Sequence, residues 1–429
     1  MKRFALLMFF GGSFFCLCAF AETRTLTLRQ ALDLALQQSP DLMLARLDQL
    51  KAQNQITIAK DPFHPKVFGG SGVAYTHGFP NSIEGNAPSI FQARTQMALF
   101  DRPQSYRIKE AQEAQRGVDA DFGSKEDEVA YRVAVLFLDA EQAQLSLAAA
   151  QRENESLARV RELMQARVAE GRELPIEEKR ANYSVLLGRQ RVENLNSDLI
   201  DAEMSLAEAL GFGAGDRVQP AAEERSPVAV PEPEDSMATA IENSQELKRI
   251  QANRAEKLLE VKGYRAERLP KIDAVAQYSL FDKYFFQNYF QQFQRNNFQL
   301  GASFEIPLIV GRAARAYAAQ AQADADKLQI EYNRTRARIA VDLQRAYQEV
   351  QRADTARDVA RADLDLAREQ VAVDLAQNAE GRLPLAKLEE SRAAENEKWL
   401  TFYQTQHNAE RARMDVLKQT GGLLAALRR

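Results

Sequence analysis

Of the 429 residues, two are cysteine, three are histidine and one is tryptophan. Both cysteines, Cys16 and Cys18, fall in the first 21 residues, so the chain beyond Ala21 has no thiol for a disulfide or a nucleophile. His64, His77 and His407 are scattered, not at metal-ligand spacing, and read as surface or loop residues. No G-x-S-x-G, P-loop or dinucleotide-binding glycine pattern occurs. These absences argue against an enzyme: no catalytic residue, metal or cofactor is expected. Charge of one sign is missing too. With 56 basic and 60 acidic residues the net charge is −4, which excludes a generic nucleic-acid binder. The 20 glycines and 14 prolines are too few for a collagen-like or low-complexity chain, and 45% hydrophobic residues are too many for a disordered one. Past residue 21 no stretch approaches 18 uninterrupted apolar residues, so no transmembrane helix is expected.

What is present begins with an address. Lys2 and Arg3 precede an apolar run from Phe4 to Phe20 that closes in Ala19-Phe20-Ala21, the A-x-A pattern of a cleaved signal peptide. Neither cysteine follows a convincing lipobox. Cleavage after Ala21 would remove two basic residues and leave a net charge of −6.

The remainder is written twice. SPDLMLARLDQLKAQNQITIAKDPFHPKV at 39–67 aligns without a gap on SQELKRIQANRAEKLLEVKGYRAERLPKI at 244–272, an offset of 205. A-E-G-R recurs at 169–172 and 379–382, and Leu-Pro at 174–175 and 383–384. A period of about 207 that occurs twice is a duplication rather than a solenoid. The first repeat is placed at 22–210 and the second at 236–429. Between them, 211–235 carries three glycines and four prolines without apolar periodicity, and reads as an irregular linker, either a loose tether or an ordered strap.

Each repeat has the same order of elements: a helix (about 41–60 and 245–266), two alternating segments, a very long helix (about 103–168 and 311–378), a glycine-bearing turn, and a shorter helix (about 173–210 and 383–420). A further helix is expected over Leu28–Gln37, with Ser39 capping a restart at Pro40. In the first long helix, Phe122, Val129, Val133, Leu136, Ala140, Ala143 and Leu147 recur at helical spacing. Such a helix is about 100 Å long at 1.5 Å per residue, and the two shorter helices of each half, stacked end to end, nearly match it. Four columns per chain follow, although extended coiled coils also fit helices of this composition.

The alternating segments decide between these readings. Residues 66–76, 90–100, 271–281 and 297–308 have the length of bilayer-spanning strands. Phe91, Ala93, Thr95, Met97 and Leu99 alternate with Gln92, Arg94, Gln96 and Ala98. The loop at 282–296 holds Tyr284, Phe285, Phe286, Tyr289, Phe290 and Phe293, suited to an interfacial girdle. Four strands cannot close a barrel, and open edges do not survive in lipid, so copies of the chain must share one. Two copies would give eight strands, a barrel filled by its own side chains, and three would give twelve, wide enough for a channel, above twelve helical columns.

On these residues the chain resembles the TolC-type outer-membrane efflux channels. The likeness rests on LTLRQALDLALQQSPDL at 26–42, on Pro65-Lys66-Val67 and Pro270-Lys271-Ile272 at the strand starts, and on IPLIVGR at 306–312. The duplication with two glycine-bearing turns is a further likeness. The resemblance implies a mainly α homotrimer: a 12-stranded β-barrel in outer-membrane lipid on an α-helical tunnel in the periplasm. It implies a passive exit duct that works with a periplasmic adaptor and an inner-membrane pump. By the same resemblance Gly171, Arg172, Gly381 and Arg382 would face the adaptor. Glu177, Glu178, Lys387, Glu389 and Glu390 would stand at the entrance gate, where Lys387 departs from the family's acidic pattern. A periplasmic adaptor is the alternative, but it would be expected to have one hairpin flanked by soluble β-domains, not two hairpins each preceded by paired strands.

Overall fold

The computed structural model describes residues 23–72, 89–213, 215–221, 229–281, 296–309 and 311–428. The expected signal peptide, residues 73–76 of the first strand segment, the aromatics of 284–293, His77 and part of 211–235 lie outside the described residues. The elements run β1 (Thr23–Leu26), α1 (Leu28–Gln38), α2 (Pro40–Lys60), β2 (Lys66–Gly72), β3 (Ser89–Phe100), α3 (Arg102–Ala169), α4 (Pro175–Ala209), β4 (Arg217–Pro220), α5 (Pro233–Asn243), α6 (Gln245–Ala266), β5 (Lys271–Phe281), β6 (Asn296–Glu305), α7 (Arg312–Ala379), α8 (Leu385–Thr420) and α9 (Leu423–Leu427). The fold is mainly helical, and α3 and α7 have 68 residues each. Within α3 lies one 18-residue window apolar enough to cross a bilayer by length and composition. It is 61% buried, which makes it core rather than lipid-facing surface.

Two differences from the sequence reading have clear causes. α5 was not expected, yet it stands at the same offset of 205 from α1, with the same 11 residues, so the duplication reaches further than the visible identities. Ser39 precedes Pro40 at the helix start as expected, but its side chain caps nothing. Its counterpart Ser244 does cap α6, accepting from the Leu247 N–H at 3.3 Å.

The described chain forms two compact units. One comprises Met1–Ala35, Arg132–Ser226 and Asp354–Arg411. Its small sheet pairs β1 with β4 in parallel, from Thr23↔Arg217 to Leu26↔Pro220. The segment 211–235 is therefore not wholly irregular: four of its residues are a strand and its last three open α5. Arg24 lies over the Phe212 ring at 4.8 Å, and Val218 is fully buried. Along α3 the buried face carries Val133, Ala134, Phe137, Leu138 and Ala140. Met164, Ala181, Leu385 and Leu388 form a cluster flanked by Val160 and Leu383, which joins α3, α4 and α8.

The other unit comprises Leu36–Tyr131, Pro227–Ala353 and Ala412–Arg429. It holds the main sheet, four strands in the order β2-β3-β5-β6, every neighbour antiparallel. The central contact, β3 on β5, joins the two repeats within one sheet. Ala240, Leu247, Ile339, Leu343 and Val416 make one core cluster, and Val261, Ala318 and Ala321 another beside Tyr264. Tyr264 stacks on Tyr317 with ring centroids 5.3 Å apart.

Candidate channel wall and entrance

Directly opposed residues in an antiparallel sheet share a face. Register therefore assigns the paired residues of the main sheet to its two faces. One face carries Val67 opposite Thr95, Ala93 opposite Tyr278, Met97 opposite Ala274, Phe91 opposite Leu280, Tyr278 opposite Phe298, Ala276 opposite Leu300, and Ile272 opposite Phe304. The other carries Lys66 opposite Gln96, Phe68 opposite Arg94, Arg94 opposite Gln277, Ala98 opposite Asp273, Gln277 opposite Gln299, and Lys271 opposite Glu305. The first face is mostly apolar and the second mostly polar, with Phe68, Ala98 and Val275 as apolar members of the second.

The apolar face is bare within the chain. Val67 is 74% exposed, Phe298 68%, Leu300 76% and Phe304 68%. A contiguous apolar surface of this kind needs lipid or protein against it. The register shifts at three places, between Gly70 and Gly72, between Ser89 and Phe91, and between Ala98 and Phe100; the last makes Leu99 an extra residue and sets Phe100 opposite Ile272. Among the described residues, β2 and β6 each pair with one strand, so the sheet ends in two open edges.

The two glycine-bearing turns are built alike. α3 stops at Ala169, and Gly171 at φ 70° lets its own N–H reach the Val168 carbonyl and the Arg172 N–H reach that of Arg167. Gly381, at φ 73°, repeats both bonds to Asn378 and, through Arg382, to Gln377. This double closure requires the left-handed region, where a side chain is strained, so the repeated A-E-G-R has a local structural cause. The arginines that follow are exposed. Arg172 Nε lies 3.2 Å from Glu170, and Arg382 Nη1 lies 3.0 Å from Glu380.

Glu177, Glu178, Lys387, Glu389 and Glu390, the five residues expected at an entrance, sit on the helices that return from these turns. Glu177 pairs with Arg180 at 2.7 Å, while Glu178 makes no ion pair among the described residues. Lys387 donates to Glu390 at 2.8 Å, which raises the pKa of its ammonium. Glu389 is different. Burial raises its pKa, opposed by Arg392, which donates to it at 3.0 Å and lies 3.5 Å from Ser156 of α3. Nearby Asp374 is buried, accepting from Gln370 at 2.8 Å and from the Ser391 hydroxyl. Thus Lys387, Glu389 and Glu390 belong to one short charged stretch of α8, and no ion pair among the described residues joins them to Glu177 or Glu178.

One histidine corrects the sequence reading. His407 is neither surface nor loop: it is buried in α8, with Nε2 2.6 Å from Asp139 Oδ1 of α3. Gln142 and Gln404 bond across the same pair of helices at 3.1 Å. The contact between the two helices is thus partly polar here, with Ser146 also buried on α3. His64 is exposed near the end of α2. Among the described residues no group of three His, Cys, Asp or Glu is placed to hold a metal.

Residues 31–212 match the model of the family described as outer membrane efflux protein. No curated protein matches the chain. Among solved structures, the chain is similar to the Campylobacter jejuni CmeC outer membrane channel, at 13% identity and TM-score 0.75, over 92% of this chain and 86% of that one. It is similar to the outer membrane protein VceC of Vibrio cholerae, at 12% identity and TM-score 0.73, over 92% and 96%. The open state of the Neisseria gonorrhoeae MtrE outer membrane channel gives 14% identity and TM-score 0.71, over 92% and 89%.

Proposed function

We propose, for a chain that carries the outer membrane efflux protein signature over its first repeat and the channel-tunnel fold over both, that it is the passive exit duct of a tripartite efflux or secretion system. The observation that carries this reading is the main sheet, apolar and bare on one face, polar on the other, and open at both edges. Unpaired strand edges in hydrocarbon cost several kcal/mol per group, so the sheet is completed by other copies. Three chains supply twelve strands, lipid outside and water inside.

The chain contributes a wall and an entrance rather than a reaction. Energy comes from an inner-membrane pump, coupled through a periplasmic adaptor. The exposed turns at Gly171-Arg172 and Gly381-Arg382 are the adaptor's contact points. Splaying of the two hairpins opens the tip, and Glu177, Glu178, Lys387, Glu389 and Glu390 border the opening. The signal peptide over 1–21 delivers the chain to the periplasm and is cleaved, and the barrel then inserts in a Gram-negative outer membrane.

The test is purification from outer membranes in detergent, followed by mass determination and planar-bilayer recording. Three copies per particle and a discrete conductance are expected. A protein that stays monomeric in plain buffer and gives no conductance would overturn the proposal.

A further inference from the structure

The polar face of the main sheet is not evenly charged. At the ends of the strands that join the helices, charges are paired: Lys66 with Asp61, and Lys271 with Asp273 at 3.4 Å, opposite Glu305 in register. Arg94 is different. It is the sixth of the twelve residues of β3, and its neighbours across the sheet are Phe68 on one side and Gln277, then Gln299, on the other. The adjoining rows of the same face hold Gly70, Gln92, Ser279 and Asn297 on one side, and Lys66, Gln96, Val275 and Gly301 on the other. None of these is acidic. Among the described residues Arg94 has no ion-pair partner, and its side chain is exposed.

An arginine at mid-strand costs about 2–4 kcal/mol if it faces lipid at the bilayer centre, so Arg94 belongs on the water side. Rotational symmetry would then set the same guanidinium at the same height in every copy. Charged rings of this kind select ions in other pores, and a guanidinium matches carboxylate and phosphate oxygens in a planar fork.

We propose that Arg94, set between Phe68 and Gln277 on the polar face, forms with its copies an anion-recognising ring inside the barrel. The ring favours solutes bearing carboxylate or phosphate groups on their way out. This rests on the channel reading above and goes beyond it by naming the chemical class that the barrel prefers.

The test uses the full-length oligomer in planar bilayers, with tripolyphosphate added on the barrel side. Block of the wild-type conductance is expected. Arg94→Gln should raise the half-blocking concentration about tenfold, the scale of losing a charge-assisted contact, while Arg94→Lys keeps most of the block. Gln277→Glu, which leaves Arg94 in place but puts a carboxylate beside it, should weaken the block in the same direction. Equal block in wild type, Arg94→Gln and Gln277→Glu would overturn the ring, as would a wild-type pore that tripolyphosphate does not touch. A wild-type protein that conducts nothing would instead overturn the channel reading, and the ring with it.

Discussion

Glu110 of α3 is half-buried against Glu256 and Glu260 of α6. Gly263 keeps that contact close: a Cβ there would stand 3.2 Å from Glu110 Oε1. Desolvation first, and the Glu260 charge second, raise the Glu110 pKa from 4.5 to about 7. The sign follows from linkage. Between those two values the folded state holds a proton that the unfolded chain has lost, so this group's contribution to stability falls as pH rises through the window and is most favourable below it. Glu110→Gln removes the titrating group, so its melting temperature relative to wild type should climb from pH 5 to pH 8. A difference that does not change with pH would contradict the assignment. Residue-scale chemistry of this kind was hidden in the sequence. Glu110 reads there as one more helical acid, and His407 as a scattered histidine, because partners 146 and 268 residues apart meet only through packing.

At the scale of elements, the glycine turns at 169–174 and 379–384 give the sharpest expectation. Gly171→Ala and Gly381→Ala place a side chain in the left-handed region and should each cost about 1 kcal/mol. The cost is local, so faster amide exchange at 167–175 and 377–385, with little change in global melting, is the expected result. A second close approach constrains α4. A Cβ on Gly188 would meet Asn154 Oδ1 at 2.8 Å and Leu157 Cδ1 at 3.1 Å, so larger residues are not accommodated without movement of α3 side chains. Elements were the most readable level of the sequence. Helical spacing and the A-E-G-R turns placed α3, α4, α7 and α8 within a few residues of their bounds, and period-two alternation placed both faces of β3. The bulge at Leu99 was not readable, because an extra residue shows only against its partner strand. The β1–β4 pair was missed for a similar reason: each strand has four residues, too few for a periodic signal.

For the whole molecule, the two faces of the sheet make opposite predictions for neighbouring residues. Leu300→Arg puts a charge on the apolar face and should reduce membrane insertion strongly, at about 2–4 kcal/mol near mid-depth. Gln299→Arg, one residue away on the polar face, should insert normally and change conductance only. Recovery of folded oligomer from outer-membrane fractions measures both. Equal loss for the two variants would mean that the faces are assigned wrongly.

The sequence by itself determined the duplicated order of elements, the long hairpins, the turn glycines and the alternation of the strands. Each is a local or periodic property that a linear chain carries openly. Tertiary structure alone decided that β3 pairs with β5, that α5 answers α1, that His407 is buried on Asp139, and that Arg94 shares a row with Phe68, Gln277 and Gln299. These depend on register between segments far apart in the chain, and register is fixed by packing and cross-strand hydrogen bonds rather than by any one segment's composition.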